Sequence, residues 1–166
     1  MARVVLKLGD DVSTDDIYPG RFMATVLPSE TPQYALADHA EFNARLKAGQ
    51  VPPDSVLVAG ENFGCGSSRE QAASTLKGHE LVVVARSFAR IFLQNAINLG
   101  LKVVMAPGVE AAEGDELEVA AAAVVNHTSG KTFAVTPLPR ARQAIIDAGG
   151  LVAYTRRRLM KEEPHL

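Results

Sequence analysis

Three short apolar runs, with helical segments between them, constrain the fold of this chain most. The runs are residues 56–59 (VLVA), 81–85 (LVVVA) and 101–105 (LKVVM). The run at 81–85 has no polar alternation, which is typical of a strand covered on both faces of its sheet. Helices are predicted between the runs, one from Ser67 or nearby and one over 89–99. This order of strand, helix, strand, helix and strand predicts an α/β fold with a mainly parallel sheet.

The remaining segments predict elements around that core. They are a strand at 3–8, a polar loop at 9–21, an exposed mobile loop at 22–32, a helix at 34–48, a strand from 117, its hairpin partner at 132–136 and a helix at 140–148. The alanine-rich segment at 120–125 fits either a strand or a helix. We expect a single domain over residues 1–166, with about the last ten residues forming a frayed tail.

Composition excludes several classes of protein. The net charge is −2 and no basic stripe is present, so we expect no nucleic-acid partner. No run approaches 18 apolar residues, and the N-terminus lacks the pattern of a signal peptide, so we expect a cytoplasmic protein without a membrane span. The single cysteine, Cys65, excludes an internal disulfide and a set of thiolates for a metal cluster.

The loop after the first apolar run contains most of the reactive side chains. Ser67 and Glu70 have the S-x-x-E spacing of a capping box, in which both side chains satisfy free N–H groups of a helix. Backbone donors and the positive end of the helix dipole would then lie beside Ser67, Ser68 and Arg69, where a carboxylate or phosphate would bind. A tight turn with no ligand is the alternative, but such a turn does not need Arg69 and a second serine.

Other chemistries fit this loop less well. Its Gly64-Cys65-Gly66 segment lacks the third glycine of a dinucleotide fingerprint. A nucleophilic Cys65 would need a partner histidine, which no motif supplies, so we interpret it as a small residue that lines the turn. The four aspartates of the loop at 9–21 lack the spacing of an EF-hand, and no metal site is predicted there.

Three motifs closely resemble, in the correct order, the swivel domain of the aconitase superfamily. They are 13–19 (STDDIYP), 61–72 (ENFGCGSSREQA) and 86–92 (RSFARIF). A free-standing chain of this size resembles the small-subunit family of 3-isopropylmalate dehydratase, or that of its relative homoaconitase. The resemblance implies a three-layer swivelling β/β/α domain with a mainly parallel central sheet and a smaller antiparallel sheet. The predicted order of elements agrees with that fold.

The resemblance also implies a two-subunit hydro-lyase. In this family a separate large subunit carries a [4Fe–4S] cluster, and the small subunit closes over the site without binding a cofactor. Ser67 would be the catalytic base, which takes a proton from the carbon next to a carboxylate. Arg69 would hold a substrate carboxylate in a bidentate fork. Ser68 and backbone N–H groups near Gly66 would hold the developing aci-carboxylate.

The resemblance places the loop at 9–21 at the border of the same site. Thr14 and Asp15 match the family's loop there, and Asp15 would orient Arg69 or a neighbouring group. Arg21 would be a second ligand of a substrate carboxylate. The expected substrate is a small di- or tricarboxylate.

The substrate's variable group would face the loop at 22–32. Its apolar residues suit the isopropyl group of isopropylmalate; they are Phe22, Met23, Val26 and Leu27. Equally, these side chains could anchor the loop to the core. Arg21 could instead favour the third carboxylate of homocitrate, and hydratases of citraconate or dimethylmalate would look much the same.

A different class of function is a stand-alone module that binds a small anion at the helix N-terminus, or has a regulatory role, without a partner. Such a module would bind its ligand as an isolated chain. A subunit of an enzyme would be inert alone, and its bare partner surface could lead to homo-oligomers.

Overall fold

Within residues 1–162, which the computed structural model describes, the chain folds around a seven-stranded sheet. In chain order the strands are β1 Ala2–Lys7, β2 Val56–Ala59, β3 Val82–Ala85, β4 Lys102–Met105, β5 Glu116–Val119, β6 Ala123–Asn126 and β7 Lys131–Ala134. The helices are α1 Thr14–Ile17, α2 Ala40–Lys47, α3 Glu70–Gly78, α4 Arg90–Leu99, α5 Arg140–Asp147 and α6 Leu151–Glu162. Short 3₁₀ turns occur at Gly20–Phe22 and Thr31–Tyr34.

The sheet is mixed, and β1 joins its two halves. The strand order is β4-β3-β2-β1-β5-β6-β7, in which β1 to β4 pair in parallel and β5 to β7 extend from β1 in antiparallel pairs. The α/β prediction is therefore confirmed. The antiparallel part continues from the parallel part through pairing of β1 with β5 at Ala2 and Arg3.

Alternate residues of the parallel strands pack into two separate apolar clusters. Leu57 and Val83 face the helices, in a cluster that includes Leu76 and Phe92. The neighbouring strand residues face the other way, against the antiparallel strands; this second cluster includes Val56, Val58, Val82, Val84, Leu117 and Val124. Helices, parallel strands and antiparallel strands thus form three layers. Burial on both faces explains why the strand at 82–85 has no polar alternation.

Three predicted elements differ from the structure in extent. The helix predicted at 34–48 begins only at Ala40, because the buried Leu36 has a positive φ of 50° and turns the chain. The alanine-rich segment ends in a strand, β6, which pairs with β7. Residues 151–162 form a helix, so much of the expected tail is helical, and 163–166 lie outside the described residues.

Candidate active site

Three loops meet at one edge of the parallel strands, where β1, β2 and β3 end. Open α/β sheets place their ligands at this edge. The loop after β2, residues 60–69, is called the serine loop. The loop after β1 joins it through a bridge of Ser13 to Cys65 and an N–H bond from Gly64 to the Val12 carbonyl, 2.7 Å long. The loop after β3 joins it through a bridge of Phe88 to Phe63. The three motifs are therefore brought together.

The predicted capping box at Ser67 is wrong. Helix α3 begins at Glu70, and its N-cap residue, Arg69, makes no side-chain capping bond. The capping box of this site lies at the start of α1 instead, where Ser13 and Asp16 exchange bonds with each other's backbone N–H. Because neither Ser67 nor Ser68 caps α3, the hydroxyl of Ser67 is available for another contact.

That contact is with Thr14. The two hydroxyl oxygens, Thr14 Oγ1 and Ser67 Oγ, lie 3.1 Å apart. Thr14 is 2% exposed, whereas Ser67 is an exposed residue. The structure therefore places Thr14 behind Ser67, with Ser67 on the open side of the pair.

Arg69 is held by the loop after β1. Its NH1 group donates to Asp15 Oδ1 at 2.9 Å and to the Tyr18 carbonyl at 2.6 Å. The side chain is only 13% exposed. Asp15 Oδ1 also accepts the Gly20 N–H at 2.8 Å. The hydrogen bond from Arg69, and next the one from Gly20, hold the pKa of Asp15 below its usual range.

The guanidinium of Arg69 has one donor group left for a ligand. Its Nε is buried without a hydrogen-bond partner among the described residues, and NH1 already serves two acceptors. An incoming carboxylate would therefore meet NH2 first. The predicted bidentate fork would need NH1 to be shared, or the side chain to turn so that Nε becomes accessible.

Arg21 makes its hydrogen bond and its ring contact with other residues, although its charge acts on Asp15. Its NH2 donates to Asp38 Oδ1 at 2.6 Å, and its guanidinium lies over the Phe22 ring, 4.6 Å from the centroid. The ion pair lowers the pKa of Asp38 and raises that of Arg21. Both side chains are more than half exposed, and Arg21, the predicted second carboxylate ligand, is paired with Asp38.

The rest of the serine loop has fewer contacts. Ser68 is exposed, and its carbonyl accepts a bond from Asn95 Nδ2 at 3.3 Å. Gly66 has a φ of 97°, a conformation that favours glycine. Cys65 is a half-buried free thiol whose carbonyl accepts the N–H of Thr14 at 2.8 Å. Cys65, interpreted from the sequence as a small residue that lines the turn, thus joins the serine loop to the loop after β1 through its backbone.

The structure adds a supporting network that sequence reasoning missed. Ser87 Oγ donates to Glu61 Oε2 at 2.7 Å and accepts the Asn62 N–H at 2.8 Å. Asn62, at a positive φ of 59°, donates from Nδ2 to Asp11 Oδ1 at 3.0 Å. These contacts tie the serine loop to both neighbouring loops. The available signal was the asparagine before Phe63, since asparagine tolerates a positive φ better than most residues.

The loop at 22–32 divides into anchored and exposed residues. Phe22 stacks on Tyr34 with ring centroids 4.0 Å apart, and the Tyr18 hydroxyl donates to the carbonyls of Phe22 and Thr25. The other apolar residues are open to solvent; Met23 is 41% exposed, Val26 61% and Leu27 55%. Phe22 therefore anchors the loop to the core, whereas the side chains of Met23, Val26 and Leu27 are accessible to a ligand or a partner.

Among residues 1–162, no group of three or more His, Cys, Asp or Glu side chains could hold a metal ion. No helix in that part of the chain is long and apolar enough to cross a membrane.

Comparison with known proteins identifies relatives over nearly the whole chain. The model of the aconitase C-terminal domain family matches residues 21–106. The 3-isopropylmalate dehydratase small subunit of Methanosarcina mazei is 44% identical over 156 residues, 91% of this chain and 93% of that protein. The same subunit of Thermodesulfovibrio yellowstonii is 39% identical over 165 residues, 96% and 95% of the two chains.

A solved structure agrees with the sequence relatives. The crystal structure of 3-isopropylmalate dehydratase from Methanocaldococcus jannaschii superposes with a TM-score of 0.86 at 38% identity, covering 99% of this chain and 98% of that one.

Proposed function

The chain belongs to the aconitase C-terminal domain family, among the small subunits of 3-isopropylmalate dehydratase, and from this membership we propose its function. It is the small subunit of a hydro-lyase that interconverts 2-isopropylmalate and 3-isopropylmalate, a step of leucine biosynthesis, and it acts in the cytoplasm. The observation that carries the proposal is the 44% identity to a named small subunit over 91% of this chain.

The reaction removes water from two neighbouring carbons of the substrate and adds it back with the positions of the hydroxyl group and the hydrogen exchanged. A proton leaves the carbon next to one carboxylate, its electron pair forms the double bond, and hydroxide leaves the neighbouring carbon. In our proposal Ser67 Oγ, in its ionised form, takes that proton. Its exposure on the open side of the Thr14 pair, just before helix α3, supports this role.

The charge that develops on the substrate carboxylate needs hydrogen-bond donors fixed before the reaction. In our proposal Arg69 NH2 binds that carboxylate, while Asp15 holds the guanidinium through NH1. Ser68 and the backbone N–H groups around Gly66 are the other donors. Arg21 would reach a second carboxylate only by leaving Asp38.

The catalytic unit is proposed to include a large subunit that carries a [4Fe–4S] cluster. This chain has one cysteine, and such clusters are typically held by cysteine thiolates, so its residues do not fit one. In the partner the cluster would act as a Lewis acid toward the departing hydroxyl. The roles of Ser67, Ser68 and Arg69 in this proposal do not depend on the geometry of the cluster.

The exposed apolar residues of the loop at 22–32 support isopropylmalate as the substrate. Met23, Val26 and Leu27 offer carbon surface to an isopropyl group and no positive charge to a third carboxylate. Arg21, beside them, is the feature that would favour homocitrate, but it is paired with Asp38.

The test is co-expression of this chain with the cluster-bearing subunit encoded nearest to it. The complex is purified anaerobically and assayed with isopropylmalate, homocitrate and citraconate side by side. We expect turnover only in the complex, with a clear preference for isopropylmalate. Preference for another acid would overturn the substrate assignment alone, and absence of both complex and turnover would overturn the enzyme proposal.

A matched pair of variants tests the base. Ser67→Ala should abolish turnover while the complex still assembles, because the substitution removes the oxygen that takes the proton and changes no contact of the fold other than the one with Thr14. Ser68→Ala, one residue along the same exposed loop, should leave measurable turnover. If Ser67→Ala retained most of the activity, the role of Ser67 as the base would be wrong.

A further inference from the structure

We propose that Thr14 is a positioning residue that donates a hydrogen bond to Ser67 Oγ and so stabilises that oxygen when it is ionised. The inference rests on the proposed function and deepens it. It assigns the Thr14 hydroxyl to the base itself rather than to the substrate. The observation behind it is the 3.1 Å separation between the two hydroxyl oxygens.

The backbone of Thr14 is fixed on both sides. Its N–H donates to the Cys65 carbonyl at 2.8 Å, and its own carbonyl accepts the Tyr18 N–H at 2.9 Å. The preceding residue, Ser13, is held by the capping box with Asp16. A side chain on such a backbone has little freedom, and a β-branched side chain has less than most. The hydroxyl is therefore presented to Ser67 from a rigid position.

Burial decides which hydroxyl donates. Thr14 is 2% exposed, and its hydroxyl has no hydrogen-bond partner other than Ser67 among the described residues. If Thr14 accepted from Ser67, its own proton would be buried without an acceptor, which is costly. Thr14 therefore donates to Ser67. The proton of Ser67, which is exposed, is left free to point toward the open side of the site.

The direction of this bond has a chemical consequence. When Ser67 Oγ gives up its proton, the bond from Thr14 becomes charge-assisted and stronger. It is therefore worth more in the ionised state of Ser67 than in the neutral state. A bond of this kind raises the fraction of Ser67 that is ionised and able to take the substrate's proton, and so raises kcat, without contributing to substrate binding.

The test compares Thr14→Val with Thr14→Ser in the assembled two-subunit enzyme. Valine keeps the branched shape and removes the donor, whereas serine keeps the donor. We expect Thr14→Val to lower kcat roughly 10- to 100-fold, with KM changed by less than about threefold. Thr14→Ser should restore most of kcat.

The deuterium isotope effect on kcat distinguishes this role from a purely structural one, because loss of packing alone would leave the isotope effect unchanged. With substrate deuterated at the carbon that loses its proton, Thr14→Val should show a larger deuterium effect on kcat than the wild type, because proton transfer becomes more rate-limiting. Thr14→Ser should show the wild-type effect. If the valine variant does not assemble, Thr14→Ala is the second variant without a donor, and the same comparison applies.

Several other results of these experiments would contradict the inference or the proposed function. A rise in KM at constant kcat would make Thr14 a substrate ligand and overturn the inference. Equal losses in the valine and serine variants, or an unchanged isotope effect, would assign Thr14 to packing and overturn it as well. A wild-type complex with no turnover would overturn the proposed function itself. An active wild type together with a Thr14→Val variant of unchanged kcat would overturn only the inference about Thr14.

Discussion

Asp15 holds Arg69 through a single oxygen atom, Oδ1, which lies 2.9 Å from Arg69 NH1 and also accepts the Gly20 N–H at 2.8 Å. Arg69 belongs to the serine loop, and both of the other residues belong to the loop after β1. The position of the guanidinium therefore depends on how these two loops are joined. Because Asp15 is 67% exposed, the importance of the pair lies in orientation rather than in net stability.

The first prediction concerns Asp15→Asn. The amide keeps the size of the side chain but loses the charge that holds Arg69, so the guanidinium should lose its fixed orientation. We expect kcat/KM of the two-subunit enzyme to fall roughly tenfold or more. Steady-state kinetics with isopropylmalate measure this change.

The control for that prediction is Asp54→Asn. Asp54 also forms an exposed ion pair, with Lys102, but it lies before β2, at the end of the strand far from the serine loop. Its positive φ of 63° is tolerated by asparagine as well as by aspartate. The kcat/KM of the Asp54→Asn enzyme should stay near that of the wild type. Equal losses in the two variants would contradict the role of Asp15 as the residue that orients Arg69.

The second prediction follows from the lowered pKa of Asp15. A carboxyl with a depressed pKa in the folded state contributes stability that is present above its unfolded pKa, about 4, and is lost as pH falls through the folded value. Asp15→Asn should therefore be slightly less stable than the wild type at pH 7, since solvent screens this exposed pair, and the difference should shrink below about pH 4. Urea unfolding across this pH range measures it. A difference that stayed constant down to the lowest pH would rule out the ion pair as its source.

The third prediction concerns the backbone of the serine loop. Gly64 has a φ of 85°, and a Cβ there would lie 2.2 Å from Phe92 Cγ, inside the aromatic cluster of Phe63, Phe88 and Phe92. Gly64→Ala should lower the free energy of unfolding by roughly 2–4 kcal/mol, through strain and overpacking together. Thermal or urea unfolding of the isolated chain measures this loss.

Gly114→Ala separates the two causes. Gly114 has nearly the same conformation, with a φ of 90°, but a Cβ there meets nothing within 4 Å. Gly114→Ala should cost only the strain of the left-handed conformation, roughly 1–2 kcal/mol. Similar losses at the two positions would show that the contact with Phe92 does not matter.

The parallel core was predictable from sequence because its signals are local. The apolar strand at 82–85 lies within one residue of its prediction, and so does helix α4, where Gly100 adopts the left-handed conformation of a helix end. A strand buried on both faces and a glycine after a helical run each leave a trace in consecutive residues.

The errors came from contacts between distant residues. The segment before α2 has a helical pattern, yet Leu36 donates its N–H to the Ile17 carbonyl and adopts a positive φ instead. At the start of α3 the hydroxyl of Ser67 bonds to Thr14, 53 residues earlier, in preference to the helix N–H groups. Local propensity cannot account for such bonds, since their partners are brought near only by the sheet.

The motifs that meet at the candidate site were recognisable in the sequence, but the pairing of their residues was not. The sequence places Thr14 and Asp15 in one loop and Ser67 and Arg69 in another. Which residue of one loop meets which residue of the other depends on the register of β1 against β2. That register, together with the Ser13 to Cys65 bridge, matches Thr14 to Ser67 and Asp15 to Arg69.

The fourth prediction separates the two interpretations of the loop at 22–32. Phe22 stacks on Tyr34 and anchors the loop, so Phe22→Ala should lower the free energy of unfolding by roughly 1–3 kcal/mol. Leu27 is 55% exposed and packs little, so Leu27→Ala should leave stability unchanged. In the two-subunit enzyme it should raise KM for isopropylmalate up to roughly tenfold, because apolar contact with the isopropyl group is lost.

The matched control for Leu27 is Val152→Ala, on the far helix α6. Val152 is 74% exposed, so its truncation also removes solvent-facing carbon, but it lies outside the three loops of the site. The KM of the Val152→Ala enzyme for isopropylmalate should equal that of the wild type. If Leu27→Ala also left KM unchanged for isopropylmalate, the exposed side chain of Leu27 would not contact substrate, and substrate choice would have to depend on other groups such as Arg21. An effect on assembly with unchanged KM would instead place Leu27 in the contact with the large subunit.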